Sequence, residues 1–332
     1  TKAWEVGLQS HLWNDKLELN VSLYKTSTYN QLFNPSISAS SGYSSIYING
    51  GQVDNKSIEA SLTLNQPLGP VQWNSTFTYT INRNKIKKLL KPTTLSNGEV
   101  VKQDMMDLGG LEIVNSRLFE GGSIGDLYVT ALRTDSHGYI DVDYVNNTVA
   151  IDNKAGERQD GWIYAGNSQA KYMMGWRNSF SWKGLTLGCL VNARIGGIVV
   201  SQTQAMMDAY GVSTATAEAR DLGYVLIDGY KVPAVQKYYS TVGSGVGSMY
   251  VYSATNVRLA ELSLGYNIPV QKWVPWIQGM NVAFTGRNLL MFYCKAPFDP
   301  ELTESTGTHF SGMDYFMLPS LRNLGFSVKL NF

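Results

Sequence analysis

Apolar and polar side chains alternate along several segments of this chain, and many of these segments run for roughly ten residues or more, about twice the usual strand length. In 71–82, Val71, Trp73, Phe77, Tyr79 and Ile81 share one face, and Gln72, Asn74, Thr76, Thr78, Thr80 and Asn82 share the other. In 57–65, Ile58, Ala60, Leu62 and Leu64 oppose Ser57, Glu59, Ser61, Thr63 and Asn65. The same period of two organises 17–24, 170–182, 185–195 and 325–332. Alternate side chains of a strand point to opposite faces of a sheet, so each segment reads as a strand with one apolar and one polar side.

A soluble β-sandwich alternates too. What separates the two readings is how the strands are joined. Very short connections (Asn14-Asp15, Leu68-Gly69-Pro70, Lys183-Gly184) alternate with very long ones (34–50, 91–168, 200–253, 294–320). Short turns at one end and long loops at the other are the pattern of an outer-membrane barrel, whose strands need about ten residues to cross lipid. Aromatic residues gather near the short turns: Trp13, Trp73, Trp182, Tyr266, Trp273 and Trp276. Tyr and Trp favour membrane–water interfaces. Composition agrees, because charged residues make up 16% of the 332 residues, against roughly 25% in soluble proteins. No apolar run reaches the ~18 residues of a membrane helix. The net charge of +1 gives no footprint for nucleic acid.

The chain closes on an amphipathic strand. Phe326, Val328, Leu330 and Phe332 alternate with Ser327, Lys329 and Asn331. A terminal aromatic of this kind is the expected signal to the barrel assembly machinery, which singles out Phe332. With Phe332 at the periplasmic rim, the strands 2–12, 17–33, 52–66, 71–88, 169–182, 184–199, 255–268, 280–293 and 321–332 run alternately down and up. Every short turn then lands on the periplasmic side. About nine strands is an odd number and too few for a complete bacterial barrel, so further strands are expected from upstream residues or another chain. The opening Thr1-Lys2-Ala3-Trp4 reads as strand rather than as a signal peptide.

Several motifs then resemble one family in order along the chain. Tyr164-Ala-Gly-Asn-Ser-Gln-Ala-Lys-Tyr172 and Gly175-Trp-Arg-Asn-Ser-Phe-Ser-Trp-Lys-Gly184 are similar to a stretch of SusC-type transporters, with Ala170 where a proline is usual. Arg194-Ile-Gly-Gly197, followed by Gln202-Thr203, resembles the exit of that strand. Val257-Arg-Leu-Ala-Glu-Leu-Ser-Leu-Gly-Tyr-Asn-Ile-Pro269, Gly286-Arg-Asn-Leu-Leu290, Phe298-Asp-Pro-Glu301 and Pro319-Ser-Leu-Arg322 resemble its C-terminal signatures. Near the start, Asn49-Gly-Gly51 and Val53-Asp-Asn-Lys-Ser-Ile-Glu59 are also similar. The resemblance is to SusC/RagA-like TonB-dependent outer-membrane transporters, and it covers nearly the whole chain. It implies that residues 1–332 form the C-terminal portion of an all-β, 22-stranded transmembrane barrel, with the plug and the N-terminal strands lying elsewhere. It also implies a SusD-like lipoprotein lid, TonB acting through the plug region, and a long loop 104–168 folded over the barrel mouth.

On this reading the polar face lines the lumen, and Glu59, Asn74, Arg177, Asn192, Arg194 and Arg258 are the candidate substrate-facing residues. The competing reading is that they satisfy one another or the plug. Glu120-Gly-Gly-Ser-Ile-Gly125 has glycines but no following Lys-Ser/Thr, so it is not a phosphate loop. The Asp141-Val-Asp143 pair is too small for a calcium loop. His11, His137 and His309 are scattered, Cys189 and Cys294 have no metal or redox spacing, and no catalytic set stands out by spacing, so no enzyme activity, cofactor or metal is expected. Tyr43, Tyr47, Tyr128, Phe310 and Tyr315 are aromatic loop residues able to stack on sugar rings or simply to pack. The functional expectation is uptake of oligosaccharides. Peptide uptake is the rival, and a truncated barrel acting as a surface interaction module is the reading from another class.

Overall fold

The computed structural model describes all residues except 34–46, 90–92, 95–99, 102–103, 144, 146–147, 275 and 303–309. Tyr43 and His309 lie outside the described residues. A nine-stranded sheet forms the body of the molecule. Its strands are β1 (Lys2–Leu12), β2 (Leu17–Phe33), β3 (Ile48–Leu68), β4 (Val71–Lys88), β5 (Tyr172–Trp182), β6 (Leu185–Ile195), β7 (Asn256–Ile268), β8 (Gly279–Cys294) and β9 (Asn323–Asn331). They lie in sequence order, each antiparallel to the next. The alternating segments thus became strands close to their expected bounds. β3 starts earlier than expected. β5 and β6 are shorter, because Gly196 and Gly197 take positive φ (80° and 83°) and turn the chain off the sheet.

The register turns alternation within strands into continuous bands across them. Leu19, Leu62, Phe77, Trp176, Val191, Leu259 and Leu290 are successive partners on one face. So are Trp73, Phe180, Leu187, Leu264, Phe284 and Phe326. On the opposite face run Gln9, Asn20, Ser61, Thr78, Gly175, Asn192 and Arg258. The apolar face is bare: Trp176 is 50% exposed and Leu264 48%. From Ile58 to Leu68 the apolar stripe of β3 covers roughly 33 Å along the strand. At the usual tilt that is about 25 Å of height, the thickness of the apolar belt of a transmembrane barrel.

Of the polar residues on this face, Ser75 and Asn178 are each answered by an indole. Trp73 Nε1 donates to Asn178 Oδ1 at 3.1 Å, and Trp176 Nε1 donates to Ser75 Oγ at 3.0 Å. Ser75 and Asn178 are themselves register partners. Trp73 also stacks on Phe180 at 6.1 Å between ring centroids. Each indole N–H thus supplies a partner to a polar group set among apolar neighbours.

The connections obey the expected asymmetry. Lys183 and Gly184 both take positive φ (46° and 87°), the two-residue turn that matches the twist of a hairpin. Trp13, Asn14 and Asp15 also have positive φ. At the same end Phe332 stacks on Trp276 of the β7–β8 connection, 5.8 Å apart and nearly parallel.

The long connections depart from a simple loop reading, because they fold together into a unit with its own core. Residues 105–111, 114–119, 126–130 and 162–167 make a four-stranded sheet. Ile198–Ser201 pairs antiparallel with 251–253 and parallel with 313–314. Three helices follow: α1 (Gln202–Ala209), α2 (Thr214–Leu222) and α3 (Val235–Gly245). Ser201 and Ser213 cap α1 and α2 by accepting from Gln204 N and Thr216 N, and Gly223 ends α2 at φ 78°. Ile113, Ala205, Val242, Val246 and Tyr250 are buried together there, and Val114, Leu127, Val129, Val200 and Met313 form a second cluster.

The unit is fastened to the polar face of the large sheet. Val53 and Ile86, register partners on that face, are buried with Leu89, Met106 and Leu118. We predict that Trp73→Phe lowers barrel stability by about 1–3 kcal/mol, the cost of leaving Asn178 without its donor. The double variant Trp73→Phe/Asn178→Val should recover most of that loss, as read from the temperature at which the folded band disappears on gels.

Candidate functional site

The six candidate residues all lie on the polar face. Glu59 sits between Ser22 and Thr80 and accepts from Tyr24 Oη at 3.3 Å. Asn74 donates to the Asn65 side chain, its register partner. Arg177, between Thr76 and Leu190, is exposed. Asn192 faces Gly175, where a Cβ would stand 2.7 Å from Thr78 Oγ1, so glycine keeps this point of the face open. Arg194 turns to the loop unit and donates to Ser168 O at 2.7 Å.

Arg258 is buried and committed to a network. It grips Asp299 with both terminal nitrogens (2.8 and 3.2 Å) and lies 3.4 Å from Glu301 Oε2. Its Nε donates to Asn256 Oδ1 at 3.1 Å, and Asn256 Nδ2 donates to Glu301 Oε1 at 3.1 Å. Ser320 donates to Asp299 and accepts from Asn288 Nδ2 at 2.8 Å. Asn288 itself takes φ 52°, in an irregular stretch of the β7–β8 pairing. Such a bulge re-aims side chains, and Asn tolerates the left-handed conformation.

Four sequence motifs therefore meet at one point: the Val257–Pro269 strand, Gly286–Leu290, Phe298–Glu301 and Pro319–Arg322. Burial alone would raise the Asp299 carboxyl, but hydrogen bonds from Arg258, Ser320 and the Glu301 N–H outweigh it and hold the group below the usual carboxylate value. The network holds the segment that follows β8 against the wall.

The glycine-rich segment 120–125 also has a structural role. Ile86 N donates to Gly122 O (2.9 Å) and Gly121 N to Ile86 O (2.8 Å), which ties this turn to the end of β4. Asn84 Oδ1 accepts from Ile124 N at 2.6 Å and from Ser123 Oγ at 2.7 Å. Asp141 accepts from Arg133 Nε at 2.6 Å. His11 lies 3.2 Å from Asp15, and His137 accompanies Asp135.

A cavity of about 640 Å³ opens beside this junction. The ladder between β4 and β5 ends at Thr80 and Met173, and the wall is next closed by the Ile86–Gly122 bond. Between these points Asn82, Arg83, Asn84, Lys85, Ser123, Tyr164 and Lys171 line a notch. Asp126, at its back, accepts from Asn167 Nδ2 (2.8 Å), Ser123 N (2.7 Å) and Tyr164 Oη (3.3 Å). Burial and this carboxylate push the nearby Tyr128 hydroxyl up to about 12. Sequence reading had no signal for the notch, which exists because β5 starts lower than β4 ends.

The depressed Asp299 carboxyl has a signed consequence. Its ionised form contributes stability above its unfolded value near 3.9, and that contribution is lost as pH falls through the lower folded value. We predict that the segment after β8 stays anchored from neutral pH to about pH 4 and loosens only below it, read as the anisotropy of a dye on Tyr315→Cys. Asp299→Asn should abolish the acid step and loosen the segment at neutral pH. Arg258→Ala, which strands a buried carboxylate, should cost about 3–5 kcal/mol.

No protein-family model matches the chain. It is 25% identical to TonB-dependent receptor P3 of Formosa agariphila, over 100% of this chain and 34% of the receptor. It is 24% identical to TonB-dependent receptor P26 of the same organism, over 91% of this chain and 31% of that receptor. The chain thus spans about a third of the length of the curated relatives it matches. Among solved structures it superposes on the RagAB peptide transporter with a TM-score of 0.71 and 17% identity, covering 99% of this chain and 35% of that one. The RagAB importer in its open-open state gives a TM-score of 0.66 at 18% identity, covering 99% of this chain and 34% of that one. With its banded antiparallel sheet, its sequence-ordered strands and these relatives, the chain is similar to a portion of a SusC/RagA-like TonB-dependent receptor barrel.

Proposed function

We propose that the chain is part of the wall of a TonB-energised importer in the bacterial outer membrane. One observation carries this reading: rows of mostly polar side chains back rows of mostly apolar ones from strand to strand of the nine-stranded sheet. The apolar face meets lipid and the polar face bounds a hydrated lumen. The outer strands β1 and β9 pair with strands that complete a barrel of 22. The plug and the TonB contact belong to the rest of that protein, and the loop unit faces the outside, where a SusD-like lipoprotein covers it.

Glu59, Asn74, Arg177, Asn192 and Arg194 face the lumen, and Arg258 braces it. The rows are rich in Asn, Ser and Thr, which suits a hydroxyl-rich neutral solute, and oligosaccharides are our first substrate class. Peptides are the second, favoured by the likeness to the RagAB peptide transporter.

Deletion of the gene should abolish growth on either oligosaccharides or peptides as sole carbon source, with simple sugars and amino acids unaffected. Asn192→Trp, which fills the open point opposite Gly175, should cut uptake severalfold while leaving assembly intact. Growth on both polymers without the gene would sink the importer reading. Phe332 acts as the assembly signal, so its removal should lower the yield of folded barrel rather than the activity of each molecule.

A further inference from the structure

The apolar face carries a charged border at its long-loop end. Lys25, Lys56 and Arg83 are consecutive register partners on β2, β3 and β4. They share the face of Leu23, Ile58 and Ile81, which form the adjoining row. Neighbouring strands lie about 4.8 Å apart, and like charges set directly opposite one another are destabilising. None of the three has an ion pair among the described residues.

The next row, Ser27, Asp54 and Lys85, supplies one carboxylate and another cation. Asp54 is buried, accepts from Gln52 Nε2 at 3.0 Å, and lies within electrostatic reach of Lys25 and Lys87. One carboxylate does not balance this border. Arg83 and Lys85 also line the notch with Lys171, so the row ends in a cavity where cations converge. The Asp126 oxygens there are already occupied by hydrogen bonds.

We infer that this border binds a phosphorylated lipid headgroup of the outer leaflet, with phosphate at Lys25, Lys56 and Arg83 and the sugar or glycerol portion reaching the notch. The inference rests on the membrane reading above. The apolar side favours a lipid over a free anion. One outward step toward the short turns brings Val6, Leu23, Ile58 and Ile81, an apolar row against which acyl chains would lie. Beside it Tyr79 stacks on Tyr172 at 6.0 Å, and the Arg83 guanidinium sits over the Tyr172 ring at 5.6 Å. A soluble anion would use the cations and ignore this surface. A cation near a membrane surface contributes roughly fivefold in affinity for anionic lipid, so three together contribute about 100-fold.

The test uses the intact transporter in nanodiscs of neutral lipid, titrated with lipid A, with dephosphorylated lipid A and with inorganic phosphate, and read by native mass spectrometry. The expected result is saturable binding of lipid A that inorganic phosphate does not displace. Lys25→Gln/Lys56→Gln/Arg83→Gln should weaken it about 100-fold, to the level of the dephosphorylated form. Should the triple variant not fold, the exposed Lys56→Gln alone should cost about fivefold. Equal binding of the two lipid forms, unchanged binding by the variants, or displacement by inorganic phosphate would overturn the inference. A wild-type protein that fails to enter nanodiscs at all would instead overturn the membrane reading, before any titration begins.

Discussion

On the membrane reading, a backbone amide in hydrocarbon has no water to turn to, and the large sheet answers this by pairing neighbouring strands in antiparallel ladders. Once the ladders are in place, the period of two does the rest. It sends one set of side chains to an apolar face and the other to a polar face, and the register lines them up into bands. The exceptions obey the same rule. Asn178 and Ser75 sit among apolar neighbours, and the indoles of Trp73 and Trp176 satisfy them. Where the β4–β5 ladder stops above Thr80, side chains of Asn84 and backbone groups of Ile86 find partners in the turn 121–124.

Most of the fully buried side chains lie outside the large sheet. Ile113, Leu127, Val200, Val242 and Met313 belong to the unit built from the long connections. That unit is tied to the wall at separate points. Val53 and Ile86 give it an apolar foothold on a largely polar face. Arg194 reaches Ser168, and Arg258 holds Asp299 and Glu301. These are contacts between sheet strands and loops, and they hold the unit against the polar face of the sheet.

The sheet was largely legible in the sequence because alternation is local: Trp73, Phe77 and Tyr79 declare their shared face without reference to any other strand. The loop unit was not. Its helices are short, and their signals, Ser213 and Gly223 at the ends of α2, are common turn residues too. Burial of Ala205 or Val242 depends on partners far away in sequence. The role of the motifs was equally hidden. Arg258 looked like a lumen residue by parity, and its face is as expected, but only the folded chain brings it to Asp299. The Lys25–Lys56–Arg83 row needs the register of three strands, which no single segment carries.

The most direct test is a cysteine scan along β3 in a background lacking Cys189 and Cys294, with the intact protein in lipid vesicles. If the sheet spans the membrane as described, cysteines at Leu62 and Leu64 react with a lipid-phase probe and not with a water-soluble maleimide. Those at Ser61 and Thr63 should show the reverse. Equal reaction of both sets with the water-soluble reagent would contradict the account, since it would mean that the apolar face meets water or another protein rather than lipid.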